Sequence, residues 1–308
     1  MSISAGAATE AVVGAVAVLS FRMRVHILLN GADPQRPARS LARPPGRGRH
    51  RTPPMRRGRW AQWALCAAAL VSCAAFAQTE SQTWRDIESR IQYGYYTEDA
   101  VALRKLSETM AGGEGHDKLR SYYAALLAWR LALLAAQPGA AAAGSTAEFA
   151  HRCVSEVDGA LAVEEDFAEA LALRSACLAT PLETAGGYAP LASHRARKDL
   201  DRALQLAGRN PRVLLVDAMS DYELAPARGG NKERALTKLR QTVSAFESER
   251  SGVEHLPGWG AAEAWLLLAR DLLDHGDPVA ARDALEHALL IAPEYAQARR
   301  LMTKITTG

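Results

Sequence analysis

Residues 262–295, AEAWLLLARDLLDHGDPVAARDALEHALLIAPEY, restrict the fold of this chain more than any other stretch. Trp265, Leu268, Ala269 and Leu272 recur at helical spacing, and so do Ala281, Leu285 and Ala288. Each half therefore carries one apolar stripe along a helix. Gly276 and Asp277-Pro278 stand between the stripes, where one helix must stop and the next begin. Proline in the first turn of the second helix forfeits no hydrogen bond, because that N–H would have no intrahelical partner. Ala269 and Ala281 are small enough for two backbones to approach closely. The segment reads as an antiparallel helical hairpin closed by Pro293.

The positions of Trp265, Leu268, Ala269, Leu272, Gly276, Ala281, Leu285, Ala288 and Pro293 resemble the tetratricopeptide repeat, a helix–turn–helix unit of about 34 residues. The spacing of the second helix recurs upstream at Ala235/Leu239/Thr242 and Ala196/Leu200/Ala203, with intervals of 46 and 39 residues. Insertions at 226–230 and 249–260 account for the long intervals. The resemblance implies an all-α, right-handed solenoid of degenerate helical hairpins, with a helix at 295–305 covering the last apolar face.

The first 77 residues read differently. They hold eleven arginines, no lysine, and only Glu10 and Asp33, a net charge of +9. Of 37 basic and 34 acidic residues in the chain, 26 and 32 then remain for the body, a net charge of −6. An acidic body does not suit nucleic acid, whose phosphates require a basic face. Residues 1–54 combine a short apolar run with an Arg-, Pro- and Gly-rich stretch and show no periodicity. They read as an untranslated or disordered extension. From Met55 a basic start, the apolar run WAQWALCAAALVSC and the small residues Ala75-Phe76-Ala77 follow, the order of a secretory signal peptide at 55–77. Cleavage after Ala77 would release a periplasmic protein spanning 78–308. Leu70-Val71-Ser72-Cys73 also resembles a bacterial lipobox, which would instead leave Cys73 lipidated and the protein on the membrane.

The body alternates helical stripes and turns throughout, with no strand pattern. Trp84, Ile87 and Ile91 begin it, and Tyr93-Gly94-Tyr95-Tyr96 reads as a break. Thr97 is placed to cap a second helix bearing Leu103 and Leu106. Tyr122, Leu126, Trp129 and Leu133 mark a third helix, and Phe149, Cys153, Val157 and Leu161 a fourth. The acidic turn Glu164-Glu165-Asp166 precedes a fifth with Phe167, Ala170, Leu173 and Cys177. Gly112-Gly113-Glu114-Gly115 has no Gly-Lys-Ser/Thr continuation and reads as a turn rather than a phosphate loop.

Chemistry is sparse. His116, His151, His194, His255, His275 and His287 show no metal-ligand spacing, and no serine or cysteine lies in a nucleophile motif. A non-enzymatic protein without cofactor or metal is expected. The repeat resemblance implies a concave groove lined by Glu263, Leu266, Arg270 and Leu273, with Trp259 in the preceding loop. Leu266 and Arg270 stand where chaperone-type members place carboxylate-clamping residues, so that clamp is not implied. Such a groove suits a segment of another envelope protein. A second resemblance, of PARGGNKERALTKLRQTVSAFE (226–247) to the periplasmic T-component of tripartite transporters, implies accessory binding in solute uptake. Finally, Cys153 and Cys177 lie symmetrically about residue 165. On adjacent antiparallel helices their thiols would share one height, within reach of a disulfide, which an exported protein could keep.

Overall fold

The computed structural model describes residues 82–111, 117–137, 144–180, 189–224, 230–250 and 256–307. The chain divides into two compact units, Met1–Arg59 and Trp60–Gly308, and all described residues belong to the second. The extension at 1–54, the signal peptide at 55–77 and Cys73 lie outside the described residues.

The described body is all-α. Its helices are α1 (82–96), α2 (Ala100–Ala111), α3 (Lys118–Ala135), α4 (Thr146–Val163), α5 (Ala168–Ala179), α6 (Ala189–Ala207), α7 (Pro211–Glu223), α8 (Lys232–Arg250), α9 (Ala261–Asp274), α10 (Pro278–Ile291) and α11 (Ala296–Thr307). They pair as hairpins α3–α4, α5–α6, α7–α8 and α9–α10, and α11 packs on α10. This is a helical-hairpin solenoid. No described helix is long and apolar enough to cross a membrane.

The recurring second-helix positions are the seam of each hairpin. Ala196, Leu200 and Ala203, then Ala235, Leu239 and Thr242, then Ala281, Leu285 and Ala288 are all buried. A fourth set completes the series. Cys153, Val157 and Ala160 on α4 have the same i, i+4, i+7 spacing and are likewise buried. Alanine or cysteine at the first position and a small residue at the last keep paired helices close, while the branched residue between them fills the interface.

Helix starts follow local chemistry. Asp117, Ser145, Asn210 and Asp277 each accept a backbone N–H of the first turn. One expected cap is corrected: Thr97 donates its hydroxyl back to the Tyr93 carbonyl at 2.8 Å, and Asp99 caps α2 by accepting from Ala102 N–H. Tyr93-Gly94-Tyr95-Tyr96 is also no break, since α1 runs through it to residue 96. Gly94 lies where α1 meets α2, and a Cβ there would fall 2.8 Å from Leu103 Cδ2. The closing helix begins one residue later than expected and ends at Thr307. Trp265 of the first apolar stripe is half-buried, packed against the core with its ring edge-on to His287, the centroids 4.4 Å apart.

The sulfurs of Cys153 and Cys177 stand at bonding distance with their Cα atoms 6.1 Å apart, joining α4 to α5 across the seam between two hairpins. Beside them, Arg174 of α5 makes a two-pronged ion pair with Asp199 of α6, both bonds 2.7 Å. Its third arm reaches Asp158 of α4, also at 2.7 Å. One guanidinium thereby ties three successive helices.

Candidate functional site

The inner helices of the solenoid do not line an open groove. α1 packs against the other end of the body through three polar links. Glu88 accepts the Gly258 backbone N–H, at 2.8 Å to its nearer oxygen. Gln92 and Tyr96, one helical turn apart, both reach Glu263 on α9, at 3.0 and 2.7 Å. Beyond the helix, Glu98 pairs with Arg300 of α11, at 2.7 Å through Nη1. The first described helix is thus fastened to the last repeat, and the concave side is partly closed.

Arg130 of α3 stands at the centre of this closure. It is 1% exposed, and its Nη2 donates to the Glu263 carboxylate and, at 3.2 Å, to the Gln92 side-chain oxygen. Its guanidinium carbon lies 4.2 Å from the Tyr95 ring centroid, 4.8 Å from Trp129 and 5.0 Å from Trp259. Aromatic faces thus pack around the cation, an arrangement that stabilises a desolvated positive charge. Burial alone works against the charged guanidinium, yet Glu263 and the neighbouring tyrosines outweigh it and raise the Arg130 pKa. The charge is permanent.

Trp259, in the loop before the last repeat, is buried. Its indole N–H donates to the Tyr122 hydroxyl at 2.7 Å, and its ring meets Trp129 at 5.6 Å. The following Gly260 has φ +113, and a Cβ there would fall 2.8 Å from the Phe246 ring. Only glycine allows that turn into α9 at low cost. Below Trp259, the Tyr123 hydroxyl donates to Glu88 at 2.6 Å. Burial raises the Glu88 pKa, and the hydrogen bonds from Tyr123 and Gly258 only partly oppose it. Burial likewise raises Tyr96, Tyr122 and Tyr295, so these phenols stay neutral.

A cavity of about 330 Å³ lies against this cluster. Its walls come from α1 (Tyr95), α3 (Trp129, Arg130, Leu133), α7 (Leu215, Met219), the Trp259 loop, α9 (Glu263, Leu266, Leu267, Arg270) and the start of α11 (Tyr295, Gln297). Glu263, Leu266, Leu267 and Arg270 are spaced i, i+3, i+4, i+7 and so form one stripe of α9. Of the groove residues expected from sequence, Glu263, Leu266, Arg270 and Trp259 meet in this wall, and Leu273 does not. Glu263 and Leu266 are buried rather than presented outward, at 9% and 3% exposure. The reason is the covering of the concave side by α1 and the 256–260 loop. A second cavity, of about 610 Å³, lies on the far side of Gln92 and Tyr96. The Arg130–Glu263–Gln92–Tyr96 network is therefore a partition between two cavities.

Sequence reasoning missed Arg130, Gln92, Tyr96 and Tyr295. A signal for Arg130 existed. In residues 122–135, YYAALLAWRLALLA, it is the sole charged residue of a helix that is apolar all round, and such a helix is buried on every side. The Glu263 carboxylate is occupied by Arg130, Gln92 and Tyr96. Among the described residues, no three His, Cys, Asp or Glu side chains gather to hold a metal ion.

No protein-family model matches the sequence, and no curated protein does. Among solved structures, the chain is similar to a thermophilic TPR protein of Thermus thermophilus. The identity is 14%, over 74% of this chain and 100% of that one, with a TM-score of 0.49.

Proposed function

We propose that this protein is a non-enzymatic binding scaffold of a bacterial envelope, exported across the inner membrane, which holds a segment of another envelope protein. The cavity carries the reading. It combines aromatic and aliphatic walls with a half-buried cation, Arg270, whose side chain donates only to Gln297 among the described residues, at 2.7 Å. Sites of this make-up bury an apolar group and orient it by a few polar contacts. Export is supported by the order of residues 55–77 and by the paired Cys153 and Cys177, a pairing that suits an oxidising compartment.

The experiment is a pull-down of tagged, exported protein from envelope extract, beside an Arg270→Glu variant. A partner captured by the parent and lost by the variant supports the reading. Identical captures by both overturn it. The intact mass of the mature protein tests export separately. A start at Gln78, or a lipid on Cys73, fits, whereas a mass that retains residues 1–54 refutes it.

One observation favours a second reading, an accessory component of a solute uptake system. Fastening α1 to the last repeat makes the concave side a partly closed cavity instead of an open groove. Native mass spectrometry of protein purified without denaturation would show a retained small molecule.

A further inference from the structure

Three features of the cavity specify a ligand more narrowly than its volume does. The first is an open donor in a buried place. Arg130 is bonded only through Nη2, and its Nε is buried with no hydrogen-bond partner among the described residues. A buried guanidinium N–H left without an acceptor is costly, so this wall is short of acceptors. The second is the charge balance. Arg130 and Glu263 cancel, Arg270 has no acidic partner within 4.0 Å among the described residues, and Glu223, the other carboxylate of the lining, is exposed. A carboxylate on the ligand would supply the charged partner that Arg270 lacks. A cationic ligand would meet Arg270 and find both oxygens of Glu263 already accepting hydrogen bonds.

The third feature is shape. The apolar walls, Trp129, Trp259, Leu215, Met219, Leu266 and Leu267, enclose about 330 Å³. That is the lower end of small-ligand sites. α1 lies across the concave side and is tied to α9 and α11, which narrows that side to this cavity.

We propose that this cavity binds a free amphipathic monocarboxylate, an aryl- or branched-alkyl-substituted acid. Its carboxylate meets Arg270, and its hydrocarbon packs on Trp129, Trp259 and Leu266. Charge-assisted bonds to guanidinium set the orientation, and the low dielectric of the walls strengthens them. The inference rests on the cavity being a binding site, as the proposed function does, but not on any protein partner.

Calorimetry on the purified chain tests it, with 3-phenylpropionate, its neutral amide and acetate as probes. The acid should bind saturably, the amide about tenfold more weakly or worse, and acetate not measurably. Arg270→Gln, a change at a half-buried wall position, should weaken the acid about tenfold while leaving the thermal midpoint in place. Met219→Trp should fill the cavity and abolish binding. Equal affinity for acid and amide, unchanged affinity in Arg270→Gln, or no saturable binding of the acid would each overturn the proposal. So would binding of a peptide through its C-terminal carboxylate when the free acid does not bind. Protein that captures an envelope partner but binds no acid refutes this inference alone. Protein that binds the acid but captures nothing refutes the scaffold reading alone.

Discussion

Removing the Glu263 carboxylate should be among the most damaging single changes in the body. Glu263→Ala strips Arg130 of its counter-ion at a position 1% exposed, and it removes the acceptor for Gln92 and Tyr96. Deleting one partner of a buried pair costs about 3–5 kcal/mol, because the other charge stays desolvated and unpaired. For a helical unit of this size each kcal/mol moves the midpoint by about 2–4 °C, so a fall of roughly 6–20 °C is expected. Arg130→Met should cost a similar amount. The double variant Arg130→Met/Glu263→Leu replaces both charges with apolar groups and should lie within about 1 kcal/mol of the parent. Urea unfolding followed by tryptophan fluorescence reads the cycle directly, since Trp129 and Trp259 flank the pair. Hydrogen exchange should also rise in residues 82–96, because two of the links that hold α1 end on Glu263. If each single change costs less than about 1 kcal/mol, or the two costs add, then the pair is hydrated in solution and the closure of the concave side is wrong.

Other outcomes follow from the seams. Leu285→Ala should cost about 2–5 kcal/mol and Leu268→Ala a similar amount, both being buried; unchanged denaturation midpoints would put the repeat register in error. Counting thiols in unreduced, denatured protein should find Cys153 and Cys177 unreactive. The Cys153→Ala/Cys177→Ala pair should lose about 3 kcal/mol, as expected for a loop of that length. Burial opposes the Asp221 carboxylate, but hydrogen bonds from Arg234 and Lys238 outweigh it and lower its pKa. Its stabilisation is therefore complete above the ordinary carboxylate value of about 4 and is lost as pH falls through the lower folded value. Asp221→Asn should flatten that acid limb of the stability curve. His275 shows the opposite sign: a hydrogen bond to the Asp271 carbonyl, aided by the Asp271 and Glu233 charges, raises its pKa. Its contribution is complete below about pH 6.5 and fades as pH rises through the folded value, which His275→Gln should abolish.

The hairpins themselves were legible in one dimension. Ala281/Leu285/Ala288 and its two upstream counterparts are spaced by the helix period, and each set faces a single neighbour, so periodicity alone reveals them. Cys153/Val157/Ala160 belongs to the same series but is harder to see. Its cysteine and valine changed the residue types while the spacing stayed the same. The equal arms about residue 165 were enough to bring Cys153 and Cys177 together, because rise per residue is constant along a helix.

Local spacing therefore sets the seams between sequential helices. The fate of the concave side depends instead on contacts between residues far apart in the chain. α1 meets α9 across 167 and 171 residues, and Arg130 meets Glu263 across 133. Nothing in a local window sets those pairings. They depend on how far each hairpin rotates on the last, summed along the solenoid until its ends approach. Arg130 is tolerable inside an apolar helix only because that summed rotation delivers a carboxylate and three aromatic faces to it. Glu263 and Leu266, which a single repeat would present outward, are buried for the same reason.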